Sequence, residues 1–156
     1  MTAAVEYRLN TASEAEIVEH LSRCDAAFVP TLSGRVEING YAKKIASNAM
    51  RFEALVGDSL VGLVAAYCND HDKGIAYITS VSVLREWMGK GIAACLMKQC
   101  IEHVKASGIL QISLEVSRDN MPAISLYEKS GFVAGNTNGP LLSMHLYLKS
   151  GNEHEQ

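Results

Sequence analysis

The chain has 156 residues, of which 48% are hydrophobic and 20% charged, a balance that fits one domain with its own core and excludes a disordered chain. A net charge of −3 argues against a nucleic-acid partner, which calls for a basic face, and only Lys43 and Lys44 are adjacent cations. No apolar run reaches the roughly 18 residues of a membrane span, and Met1 to Glu6 lacks the basic-then-apolar pattern of a signal peptide, so a cytoplasmic protein with no membrane partner is expected.

In chain order, Ser13 followed by Glu16 is a capping-box signature that opens an amphipathic helix carrying Ile17, Val18 and Leu21 on one side. Ala26 to Gly34, with Pro30, Ser33 and Gly34, reads as a loop. Val36 to Ala49 reads as a second helix, because Ile38, Tyr41, Ala42, Ile45 and Ala49 recur at three and four. Phe52 to Val56 and Leu60 to Cys68 read as apolar strands joined by a hairpin turn at Gly57, Asp58 and Ser59. Asn69 to Gly74 is a turn, and Ile75 to Val83 a third long strand. A third helix, long and apolar, runs from Ile92 to Val104 and is followed by a strand from Leu110 to Val116, a helix from Asn120 to Ser130 and a short strand from Phe132. Asn136 to Pro140 reads as a loop, and Leu141 to Leu148 as a closing strand. The expected organisation is one domain over 1–150 and a polar tail over 151–156. An antiparallel meander followed by a βαβ crossover gives an α/β or α+β fold with a mixed sheet.

The four cysteines, Cys24, Cys68, Cys95 and Cys100, form no C-x-x-C and read as small buried hydrophobes in a reducing compartment. None is expected beside a histidine as a nucleophile. The histidines show no metal-ligand spacing, so no metal site is expected. Asp70, His71 and Asp72 sit in a turn cluster and read as solvated.

Val83 to Ala93 carries the strongest functional signal. A β-branched strand runs into a turn with Gly89 and Gly91, which opens directly into an apolar helix. Glycines let the backbone bend so that several N–H groups point one way with no side chain in front, and the positive end of the helix dipole adds to the same spot. Such a turn is an anion cradle, suited to a phosphate or pyrophosphate. Gly89, Gly91 and Ala94, with Glu115 further on, also fit a dinucleotide fingerprint; against it, Leu84 to Met88 separate strand from turn, and too few βα units follow. A P-loop is excluded by the absence of its G-x-x-x-x-G-K-[ST] pattern. A glycine turn that merely caps a core helix is the remaining alternative.

A second block, Leu114 to Phe132, contains Glu115, Asn120, Ala123, Tyr127, Gly131 and Phe132. Together the two blocks resemble the GNAT superfamily of acetyl-coenzyme A-dependent N-acetyltransferases: the first its R/Q-x-x-G-x-G/A pyrophosphate motif, the second its N-x-x-A-x-x-x-Y-x-x-x-G-F helix. The resemblance covers roughly Leu60 to Leu148. It implies a mixed, mostly antiparallel sheet of about six to seven strands, flanked by about four helices and splayed in the middle. It implies acetyl-CoA as co-substrate, held by Val81, Val83, Met88, Gly89, Lys90, Gly91, Ile92, Ala93, Asn120 and Tyr127. Met88 departs from the family's arginine or glutamine and removes one side-chain phosphate donor; a solvated Arg85 is the favoured reading of that residue, and compensation for the lost donor the alternative.

Acyl transfer to an amine expels a thiolate and requires an ammonium to lose a proton. The resemblance implies Tyr127 as the acid for the thiolate. Glu115, twelve residues earlier, resembles the base of ribosomal-protein N-terminal acetyltransferases. The N-terminal third supplies the acceptor wall: Phe28, Arg35 and Tyr41, aromatic groups beside one cation, suit an acceptor with an anionic part. The expected reaction is acetyl transfer to a primary amine of a small molecule, an amino sugar among the options, by a monomer or homodimer. A protein N-terminus or lysine, and a non-catalytic coenzyme A module, are the alternatives.

Overall fold

A computed structural model describes residues 4–28, 30–69 and 74–148. The Asp70–Asp72 cluster and the tail at 151–156 lie outside the described residues. The strands are β1 (Glu6–Leu9), β2 (Met50–Val56), β3 (Ser59–Tyr67), β4 (Ile75–Val83), β5 (Gln111–Ser117), β6 (Val133–Asn138) and β7 (Leu141–Tyr147). The helices are α1 (Glu14–Cys24), α2 (Ile38–Asn48), α3 (Ile92–Ala106) and α4 (Met121–Lys129). All seven strands join one sheet in the order β1-β2-β3-β4-β5-β7-β6, and every pair is antiparallel except β4 with β5. A doubly wound dinucleotide sheet is thereby excluded.

Local signals explain most boundaries. Both reciprocal bonds of the Ser13–Glu16 capping box form. The second helix starts two residues later than its apolar pattern suggests, because the Glu37 carboxylate accepts from the Asn39 and Gly40 N–H groups and acts as N-cap. Two sequence expectations fail at the sheet edges. The β1 strand was not foreseen, and the expected loop from Asn136 is instead strand as far as Asn138.

The sheet separates two cores. One side carries Ile17, Leu21, Ala42 and Ile45 of α1 and α2 against Leu55, Leu60, Leu63 and Ala65. The other carries Leu96, Met97, Cys100 and Val104 of α3, with Ile124 and Tyr127 of α4, against Val64, Ala76, Ile78, Ile112 and Leu114. Helices on both faces explain why β3 is buried at nearly every position rather than alternately. Between α1 and α2, the fully buried Glu53 accepts from Thr11 N–H, Thr11 Oγ1 and Ala12 N–H at 2.7 to 3.0 Å, and Arg51 Nε lies 3.4 Å from its Oε2. Three donors and a cation thus surround this buried carboxylate, so its oxygens are not left without partners.

Two irregularities in the sheet make room for a site. In β4, Ser80 pairs with Ala65 and Ile78 with Ala66, so Thr79 is one residue in excess. The parallel ladder of β4 with β5 holds only Ile75–Tyr77 against Gln111–Ser113. Beyond those rungs the two strands part.

Candidate active site

The parting of β4 from β5 opens a cleft of about 900 Å³. One end is the turn between β4 and α3. There Arg85–Trp87 form a short 3-10 turn, and Gly89 and Gly91 follow at φ of +76° and +81°. Gly91 is the N-cap of α3, and a Cβ at either glycine would meet nothing within 4 Å, so open space lies in front of the turn. Positive φ is the reason glycine occupies these two positions. The first N–H groups of a 15-residue helix stay free of helical acceptors and face an anion-accepting space.

Met88, Gly89, Gly91, Ile92 and Ala93 all line the cleft, as do Val81, Val83, Asn120 and Tyr127. Lys90 does not: its Nζ sits 6.0 Å from the centroid of the Trp87 ring, outside the lining. The cations that line the cleft are Arg85, on the 3-10 turn before the cradle, and Arg35, just after the Leu32–Gly34 turn. Asn120 also caps α4, its Oδ1 accepting from Ala123 N–H at 3.3 Å.

Tyr127 is 7% exposed and tilts against Phe132, with ring centroids 6.0 Å apart. Burial pushes its phenol up to about 12, so it carries its proton throughout the physiological range. Glu115 reaches the cleft from β5 and is exposed. A long 3.4 Å hydrogen bond from the Tyr77 hydroxyl is the contact to its Oε1. Burial, with the Glu115 charge beside it, pushes the Tyr77 phenol up to about 12. An acid and a carboxylate thus border one cavity.

Phe28, Arg35 and Tyr41 line the same cleft as Glu115. Asp25 accepts from Ser33 N–H and Oγ at 2.7 Å each, which fixes the turn bearing the buried Leu32. Arg35 N–H then bonds the Leu32 carbonyl at 2.9 Å, and its guanidinium lies 6.0 Å from the Phe28 ring centroid. Tyr41 donates to the Thr79 carbonyl.

Sequence reasoning missed one buried network. His20 Nδ1–H donates to the Leu60 carbonyl, so Nε2 is bare and accepts from Ser82 Oγ, both at 2.9 Å. Cys24 Sγ is 3.7 Å from the same Nε2. Cys24 thus sits beside a histidine, a pairing for which the i, i+4 spacing of His20 and Cys24 on α1 was the available signal. Burial nonetheless pushes the Cys24 thiol up to about 11 and His20 down to about 4, which opposes a thiolate–imidazolium pair. All four cysteines are free, with Cys24 and Cys100 buried but Cys68 and Cys95 only partly so, against the expectation of four buried thiols. Among the described residues, no helix is long and apolar enough to cross a membrane.

A family model for the acetyltransferase (GNAT) family matches residues 15–132. The chain belongs to that family. Over 84 residues it is 34% identical to N-alpha-acetyltransferase 30 of Schizosaccharomyces pombe, covering 52% of this chain and 55% of the relative. It is 29% identical over 79 residues to a spermine/spermidine N(1)-acetyltransferase of Bacillus subtilis, covering 50% and 52%. The matched stretches span about half the length of these relatives. The crystal structure of PaiA N-acetyltransferase from Thermoplasma acidophilum in complex with coenzyme A superposes with a TM-score of 0.72 at 20% identity, over 92% of this chain and 99% of that one. That likeness is one of fold.

Proposed function

We propose that the chain transfers an acetyl group from acetyl-CoA to a primary amine of a small molecule, by direct attack in a ternary complex. The observation that carries this reading is one cleft bordered by an open glycine cradle, a protonated Tyr127 and the carboxylate of Glu115. Family membership supports it.

In this reading the cradle N–H groups hold the pyrophosphate, and the thioester lies along the parting of β4 and β5. Glu115 takes a proton from the acceptor ammonium, directly or through water. The freed amine attacks the acetyl carbonyl carbon. The C–S bond then breaks, Tyr127 delivers its proton to the departing thiolate, and the nitrogen releases its surplus proton through water to the Tyr127 phenolate, which leaves the amide and a recharged phenol. Val81 and Val83 flank the thioester arm, Asn120 contacts it, and Phe28, Arg35 and Tyr41 receive the acceptor. A peptide N-terminus is the second reading, favoured by the 34% identity to an N-alpha-acetyltransferase.

A thiol-release screen with acetyl-CoA against amines, amino sugars and peptides tests the proposal. Release that depends on an amine, with an N-acetylated product by mass spectrometry, is expected. Calorimetric binding of coenzyme A with no release on any amine, amino sugar or peptide would leave a binding module instead.

A further inference from the structure

The cleft is lined by Arg35 and Arg85 and by Glu115 and Asp119, and among them Arg35 and Glu115 do not pair with each other. Arg35 stands on the N-terminal wall and Glu115 on β5, and both line the cavity. Among the described residues, Arg8, Arg23 and Arg51 each pair with a carboxylate, whereas the Arg35 guanidinium makes no hydrogen bond or ion pair. Its recorded contact is the Phe28 ring. Glu115 likewise has only the long bond from Tyr77. Tyr77, whose hydroxyl reaches Glu115, lines the same cavity as both charges.

Arg35 is also held for use. Its backbone is fixed by the Leu32 carbonyl, within a turn that Asp25 clamps at Ser33. A guanidinium on a rigid base offers a planar fork matched to a carboxylate. Two opposite charges, both exposed and both lining one cavity without pairing with each other, complement a ligand with the reverse pair.

We infer that the acceptor is a zwitterion, a primary amine that also bears a carboxylate, with its ammonium toward Glu115 and its carboxylate on Arg35. This rests on the amine-acetylation reading above and narrows it. A polyamine would bring a second ammonium against Arg35, which costs affinity. A peptide N-terminus has an amide where this site presents a guanidinium.

The test is thiol release by the whole protein with acetyl-CoA and matched acceptors. These are the protein amino acids, β-alanine, γ-aminobutyrate and carboxylated amino sugars, each beside its amide or methyl ester, with spermidine and short peptide amides as outgroups. Free acids are expected to be preferred. Arg35→Ala is expected to raise KM for the acids by about tenfold to a hundredfold while leaving their neutral partners little changed, erasing the preference. Arg35→Lys should recover part of it. Equal or better turnover of esters, spermidine or peptide amides by the wild type would overturn the proposal. So would an Arg35→Ala defect equal for acids and esters. Acetylation confined to amines without an anionic group would sink the zwitterion while leaving amine acetylation standing. Coenzyme A bound by calorimetry with none of these amines acetylated would count against both.

Discussion

The Tyr41 hydroxyl lies 2.6 Å from the carbonyl oxygen of Thr79, the residue in excess where β4 bulges against β3. A bulge leaves backbone groups outside the ladder, and here a helix side chain supplies the missing donor. The same hydroxyl is 2.8 Å from Thr79 Oγ1. Helix α2 thereby pins the strand at the point where the cleft widens. Tyr41→Phe should cost about 1–3 kcal/mol of stability, because the partly buried carbonyl loses its partner. It should raise KM for the acceptor more than Kd for coenzyme A. Denaturant titration together with calorimetry checks both parts, and an unchanged acceptor KM would remove Tyr41 from the acceptor wall.

The cradle gives a second expectation. At φ of +81°, Gly91 cannot take a side chain without strain, and its front is open. Gly91→Glu would add strain and a negative charge where an anion is to bind, so coenzyme A affinity should fall below detection in calorimetry. Met88→Arg should move the other way. It restores a charge-assisted donor beside the cradle and should tighten binding by about tenfold. Unchanged affinity in both variants would place the phosphates elsewhere.

If Glu115 deprotonates the acceptor, Glu115→Gln keeps the shape and loses the base. The kcat/KM ratio should fall at neutral pH. The loss should shrink as pH rises toward the amine's own pKa of about 10, where the substrate arrives already neutral. A defect of constant size across pH would show a binding or structural role for Glu115.

Much of this site is legible in the sequence because glycine positions and the spacing from Glu115 to Tyr127 are local patterns. Nine of the ten residues expected around the coenzyme line the cleft, and Lys90 alone does not. Lys90, which sits between Gly89 and Gly91, has its Nζ near the Trp87 ring instead. What stayed hidden depends on partners distant in sequence. Strand β1 is exposed at all four positions and exists through its ladder to β2, so it has no burial pattern to read. Strand β6 contains Gly135, Asn136 and Asn138, residues typical of loops. Gly135 is required because a Cβ there would meet the His145 ring at 2.7 Å. The bulge at Thr79 and the ties from His20 to Leu60 and Ser82 join residues tens of positions apart.

His20 gives a pH dependence of stability. Burial lowers its pKa from 6.5 to about 4 in the folded state. The folded protein thus disfavours the proton that the unfolded chain accepts, so the stabilisation is whole above about pH 6.5 and is lost as pH falls through about 4. The gap corresponds to about 3 kcal/mol. Urea midpoints should fall over that window, and less steeply in His20→Gln. Equal slopes for the two proteins would show that carboxylates alone carry the acid dependence.

Tyr127 bears the central claim, that this cleft protonates a departing thiolate. Its phenol lies at about 12, so the group is a loaded acid at every working pH. The decisive measurement is single-turnover acetyl transfer by Tyr127→Phe, with coenzyme A affinity measured in parallel by calorimetry. The account predicts a rate lower by about 10²–10⁴-fold with affinity little changed. Transfer at a near-normal rate would contradict it, and would mean that the thiolate takes its proton from water or from another group.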